Sequence, residues 1–166
     1  MSSIDESKQF VPLNIAVLTI SDTRSLADDK SGTTLADRLS AAGHHLAARE
    51  IVTDDVDAIR VIIKRWIADE GVDAIITTGG TGLTSRDSTF EAIDALLTKR
   101  LPGFGELFRM LSYEDIGSAA MMSRACAGTL GKVVVISLPG SEKAVRLAMT
   151  KLVIPELGHL VQQATQ

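Results

Sequence analysis

Residues 73–87 read DAIITTGGTGLTSRD, and this stretch decides the fold class. After Asp73, residues 74–78 are apolar or β-branched, which suits a strand buried on both faces of a parallel sheet. The strand runs straight into Gly79-Gly80-Thr81-Gly82. Three glycines in four residues let the chain turn with φ > 0 and let a ligand come close to the backbone. Successive amides of such a turn form an anion-binding nest. Thr81, Thr84 and Ser85 add hydroxyls, and Arg86 adds a charge. The spacing is neither that of the dinucleotide fingerprint nor that of the P-loop. Glycines alone are equally consistent with a bare strand-to-helix turn; the hydroxyl cluster and the following Asp87 favour binding.

Working outward, residues 14–20 (NIAVLTI) and 132–138 (KVVVISL) have the same buried-strand character, and residues 46–52 are a further strand candidate. Helical spacing appears between them. Leu35, Leu39 and Ala42 predict a helix over 34–42 that Gly43 ends. Ile59, Ile62, Ile63, Trp66 and Ile67 form one apolar stripe, with Arg60, Lys64, Arg65 and Asp69 between them and Gly71 closing the helix. Ser88 or Thr89 is placed to cap a helix with Phe90, Ile93, Leu96 and Leu97 inward. Residues 102–128 read as two short helices. A helix with Ala144, Leu147, Ala148 and Leu152 follows, and Pro155 starts the last one. Strands alternating with helices imply an α/β fold with a mainly parallel sheet covered on both faces.

Two more polar turns follow strand candidates, so all three belong on the carboxyl edge, where such sheets bind ligands. In residues 137–144 (SLPGSEKA), Gly140-Ser141 open a helix whose amides and dipole favour an anion, and Lys143 is near enough to meet a phosphate. Taken alone, that turn is better explained by simple capping through Ser141; two glycine turns on one edge of the sheet weigh against capping alone. Residues 19–25 (TISDTRS), followed by 28–32 (DDKSG), form a polar loop long enough to close over a ligand, or merely to be solvated. Asp54 and Asp87 fit helix capping, and beside a phosphate site they also fit Mg²⁺ ligation. His44 and His45 lack further partners at zinc spacing, His159 reads as surface, and Cys126 as a small buried residue. Phe104, Phe108, Met110, Met121 and Met122 read as core or as a face toward another subunit.

The chain has 166 residues, 45% hydrophobic and 23% charged, which fits one globular domain over 12–166 after a tail over 1–11. Its net charge of -4 argues against binding duplex nucleic acid. Cys126 is the only cysteine, so an internal disulfide is excluded and a reducing compartment is expected. MSSIDESKQF has no apolar signal core, and no stretch approaches the roughly 20 apolar residues of a membrane helix. A cytoplasmic protein without membrane partners is the expectation.

TTGGTG (residues 77–82), Asp87, PGFGELFRMLS (102–112), SRACAG (123–128) and LPGS (138–141) follow one another as in a known family. With ISDTR and Ser31-Gly32 they span nearly the whole chain, and together they resemble the molybdopterin-binding family. That family includes the molybdopterin adenylyltransferases and the pterin-handling domain of gephyrin. The resemblance implies a three-layer α/β/α fold in homotrimers or homohexamers. It implies molybdopterin as ligand, whose terminal phosphate attacks the α-phosphorus of ATP (or GTP) with Mg²⁺ present. It maps the catalytic, Mg²⁺-binding aspartates onto Asp54 and Asp87. It places Ser21, Asp22, Ser31, Gly32, Gly79, Gly80, Thr81, Gly82, Ser85, Glu106, Pro139, Gly140, Ser141 and Lys143 at the ligand site. Other cofactor-biosynthesis proteins are the further partners it suggests. Leu83 stands where the adenylyltransferases tend to have proline, and Ser141 where they often have Gln or Asn. These departures keep open a non-catalytic binder of molybdopterin or nucleotide. A nucleotide pyrophosphatase of the related competence-damage family is a third reading, disfavoured by the PGFGELFRMLS match.

Overall fold

Three apolar stretches become the inner strands: β1 (Asn14–Ile20), β3 (Ala74–Thr78) and β6 (Val133–Leu138), each almost wholly buried. The computed structural model describes residue 7 and residues 9–166. Most of the tail expected over residues 1–11 lies outside the described residues; within it, Phe10 packs its ring on His44. Beside β1 runs β2 (His45–Val52), whose Arg49 and Glu50 suit an edge strand. β4 (Lys99–Arg100) and β5 (Cys126–Leu130) complete one six-stranded sheet in the order β2-β1-β3-β6-β5-β4. The β2-β1-β3-β6 part is parallel, while β5 pairs antiparallel with both β6 and β4. The sheet is therefore mixed but mainly parallel.

Two cores lie on its two faces. On one, Ile15, Val17, Ile76 and Ile136 pack on α1 (Lys30–Ala41), α4 (Pro102–Ile116), α5 (Glu142–Ala148) and α6 (Ile154–Thr165). On the other, Ala16, Leu18, Ile75 and Val135 pack on α2 (Val56–Ala68) and α3 (Thr89–Asp94). Period-2 alternation along each strand supplies both faces at once. The three-layer α/β/α arrangement is the expected one.

Several boundaries differ from expectation, each for a local reason. α1 begins at Lys30, four residues early, because Asp29 caps it by accepting the Gly32 amide at 3.0 Å. α2 ends at Ala68 with Asp69 as its C-cap in extended geometry, so Gly71 does not close it. Residues 102–128 hold one 15-residue helix, a 3₁₀ segment (Gly117–Met122) and β5, not two short helices. Pro102 and Gly103 look like breakers in the sequence, but proline is well placed in a helix's first turn. Pro155 stands in the first turn of α6, as expected. α5 runs through a π-turn (Met149–Val153) into α6, and the missing proline N–H accounts for the widened turn.

Candidate functional site

β1 leads through α1 on one face to β2, and β2 leads back through α2 on the other face to β3. The chain thus reverses direction between β1 and β3, and a crevice opens at their carboxyl ends. Gly79 (φ 105) and Gly80 (φ 70) turn the chain there. A Cβ on Gly79 would collide with the Ile20 carbonyl oxygen, so only glycine lets the two strand ends close up. A Cβ on Gly140 would lie 3.3 Å from Gly79 Cα. The two glycine turns therefore touch. Thr78 Oγ1 ties them by donating to the Pro139 carbonyl at 2.9 Å. Among the described residues, the amides of Gly80, Thr81 and Gly82 find no acceptor. Ser141 caps α5 by accepting the Ala144 amide.

Both carboxylates back this turn. A Cβ on Gly80 would sit 2.9 Å from Asp54 Oδ2, and one on Gly82 2.8 Å from Asp87 Oδ2. Asp54 Oδ1 accepts from the Ser88 amide (3.0 Å) and hydroxyl (2.5 Å), while its Oδ2 accepts no hydrogen bond. Asp55, not Asp54, caps α2. Asp87 caps no helix either: its Oδ2 accepts from the Thr84 amide (3.0 Å) and hydroxyl (2.6 Å) and closes the loop. Ser88 stands at the N-cap of α3 without a side-chain cap bond. Thr89, wholly buried behind Gly80, has a hydroxyl with no partner.

The loop after β1 leans over the same edge. Asp22 Oδ1 accepts the Asp54 amide at 3.0 Å, and its Oδ2 holds Arg86 at 2.9 Å. These contacts push the Asp22 carboxyl below its usual range, the Asp54 amide first and the Arg86 guanidinium next. Arg86 is thereby matched within the protein. Ser21 Oγ accepts the amides of Thr23 and Arg24. Ser31 and Gly32 lie beneath this loop, bonded to Asp29 and, for Ser31, to Arg24. Ser85 is exposed on the rim.

Two residues expected here sit elsewhere. Lys143 is 72% exposed, with its ammonium 3.9 Å from Asp115 of α4. Glu106 lines a separate cavity of ≈ 410 Å³ with Arg100, Arg109, Met121 and Cys126. Arg124 forms the wall between that cavity and the glycine turn. Its guanidinium donates to the carbonyls of Gly82 and Asp87, pairs with Glu91 and lies 5.2 Å over the Phe90 ring. Arg124 and Thr89 escape a reading by motif, because their roles exist only once β5 and α3 are folded against the loop. Burial pushes the Cys126 thiol up to about 11, so it is no nucleophile at neutral pH.

The comparisons with known proteins fall on this same ground. The family model described as a probable molybdopterin binding domain matches residues 16–159. The chain belongs to the molybdopterin-binding family. Within it, the chain is 53% identical over 161 residues to molybdenum cofactor biosynthesis protein B of Bacillus cereus, covering 95% of each. It is 53% identical over 164 residues to the Bacillus subtilis protein of the same name, covering 97% of this chain and 96% of that one. A crystal structure of a molybdenum cofactor biosynthesis protein B superposes with a TM-score of 0.92 at 51% identity, covering 95% of this chain and 99% of the other. The departures at Leu83 and Ser141 thus sit in a protein-B-like member of the family. Among the described residues no helix is long and apolar enough to cross a membrane.

Proposed function

We propose that this protein acts in molybdenum cofactor biosynthesis by binding molybdopterin at the paired glycine turns and adenylylating its phosphate with ATP. The observation that carries the proposal is the contact of Gly140 with Gly79, which puts two amide-rich turns around one anion-sized space. The unpaired amides of Gly80, Thr81 and Gly82 bind the terminal phosphate, with help from the first turn of α5. Phosphoryl-type transfer needs alignment and charge neutralisation more than a protein nucleophile.

The oxygens present fit a magnesium ion. Asp54 Oδ2 and Asp87 Oδ1 accept no hydrogen bond, and both carboxylates back the glycine turn. Asp54 and Asp87 are the residues that would hold it. When bound it offsets phosphate charge. Asp54 stays aimed at the turn because Ser88 and the Asp22-bound amide hold it. We further propose a homotrimer or homohexamer as the working form, with other cofactor-biosynthesis proteins as its partners.

A non-catalytic carrier is the competing reading, favoured by the Arg86–Asp22 pairing, which leaves that guanidinium matched and not aimed at a transition state. One assay separates them. Purified protein with molybdopterin, Mg²⁺ and ATP is expected to release pyrophosphate and adenylylated molybdopterin in equal amounts. Tight binding without either product establishes the carrier.

A further inference from the structure

Arg124 stands just ahead of β5 and reaches back to the first glycine turn with both its backbone and its side chain. Its amide donates to the Thr81 carbonyl at 3.1 Å. Its guanidinium donates to the Gly82 carbonyl from Nε (3.0 Å) and Nη2 (2.6 Å), and to the Asp87 carbonyl from Nη2 (3.3 Å). We infer that Arg124 is a positioning residue, which sets the direction of the turn's amides and thereby the affinity of the site for phosphate. The inference rests on the reading that these turns hold the phosphate of molybdopterin.

A trans peptide is planar, so its carbonyl and the N–H of the following residue point in opposite directions. Whatever takes a carbonyl therefore aims the next amide. The carbonyls of Thr81 and Gly82 are both drawn to Arg124, which turns the amides of Gly82 and Leu83 away from it. The Gly80 carbonyl is taken by the Thr89 amide at 3.1 Å, which fixes the Thr81 amide. Consecutive carbonyls are thus occupied from Gly80 to Gly82. The consecutive amides of Thr81, Gly82 and Leu83 have no acceptor among the described residues. A run of amides like this makes an anion nest. Glycine at 82 is conformationally permissive, so the direction of its carbonyl has to be set from outside, and Arg124 sets it.

Arg124 does this from a firm base and not through its charge. Its backbone lies between the 3₁₀ segment and β5, and the Ser123 amide before it bonds to the Ala120 carbonyl. Glu91 pairs with the guanidinium, and the hydrogen bond from Arg124 holds the Glu91 carboxyl below its usual range. The Phe90 ring lies 5.2 Å from the guanidinium carbon on another side. Each guanidinium nitrogen is already bonded within the protein, to Gly82, Asp87 or Glu91, so Arg124 acts on the phosphate through the loop. By holding the carbonyls of Gly82 and Asp87 together it also fixes the end of the loop that carries the Asp87 carboxylate.

Molybdopterin and its dephosphorylated form, titrated without metal or nucleotide into the wild type and into Arg124→Gln, test this role. The wild type is expected to prefer the phosphorylated ligand. Arg124→Gln is expected to lower that preference about tenfold or more, the scale of one hydrogen bond lost to a charged group. The affinity for the dephosphorylated form is expected to stay unchanged. A residue that merely stabilised the fold would lower both affinities or neither. Should Arg124→Gln fail to fold, as read from Trp66 emission, Arg124→Lys takes its place. Lysine keeps the charge but loses the planar fork, and is expected to lower the preference several-fold. A full phosphate preference in the folded variant, or affinities that fall together, overturns the role of Arg124 and leaves the phosphate at the turns. A wild type that binds both forms equally removes the phosphate reading, and this inference with it.

Discussion

Asp29 carries a charge into the interior, where Thr19 Oγ1 (2.6 Å), the Gly32 amide (3.0 Å) and Arg49 (3.2 Å) all donate to it. Burial pushes its carboxyl up, yet the hydrogen bonds from Thr19 and Gly32 and the Arg49 guanidinium outweigh that and hold it below the usual range. Its stabilising contribution is therefore full above the unfolded carboxylate value near ~3.9 and is lost as pH falls through the lower folded value. Asp29→Ala removes the α1 cap and leaves Arg49 unpaired, and is expected to cost roughly 3–5 kcal/mol in urea unfolding followed by the Trp66 emission. A loss below about 1 kcal/mol would show that the pair contributes little. Asp87 invites the opposite expectation. Asn at 87 still offers an oxygen to the Thr84 amide, so the loop and its stability persist. If Asp87 holds magnesium, Asp87→Asn lowers turnover by roughly a hundredfold or more, while molybdopterin affinity changes little. Unchanged turnover would make Asp87 a loop-closing residue and nothing more. Asp54 and Asp87 are both visible in the sequence as candidates, but Ser88, the partner that holds Asp54 at the turn, lies 34 residues away from it.

Elements with a strong apolar period are legible in the sequence itself. β1 matches residues 14–20, and α2 follows its five-residue apolar stripe, because burial on one or two faces writes itself into the chain. α4 is not legible in this way, since Pro102, Gly103 and Gly105 resemble punctuation. Gly105 is in fact a close-approach position, where a Cβ would meet the Ala125 carbonyl at 2.8 Å. β4 and β5 escape for another reason: two residues (Lys99-Arg100) and a run of small ones (CAGTL) carry no strand period of their own. They pair because β6 offers an edge. α4 as a single helix anchored by Phe104 and Phe108 makes a test. Phe108→Ala is expected to cost roughly 3–5 kcal/mol of stability by chemical denaturation. A cost near zero would mean that α4 is not packed as one rigid helix.

Across the whole molecule, the carboxyl edge of the sheet gathers what the sequence scatters over some 120 residues: Ser21, Asp54, Gly79–Gly82 and Gly140-Ser141. That convergence is readable from three strands each ending in a polar turn. The arginines are not, because their partners depend on which elements become neighbours. The molecule also leaves an apolar stripe in water. Leu107, Met110, Tyr113 and Ile116 recur every third residue along α4 and are exposed, with Met121 and Met122 beyond them. Self-association through this stripe is the expected outcome. Sedimentation at micromolar concentration should give a trimer or hexamer, and Met110→Glu with Tyr113→Glu should give monomers that remain folded. A wild type that sediments as monomer would contradict it. The central claim, that the paired glycine turns hold the terminal phosphate of molybdopterin, is tested most directly by comparing the affinity of molybdopterin with that of its dephosphorylated form. The account predicts a loss of roughly a hundredfold or more when the phosphate is absent, comparable to removing two charge-assisted hydrogen bonds; equal affinity for the two would contradict it.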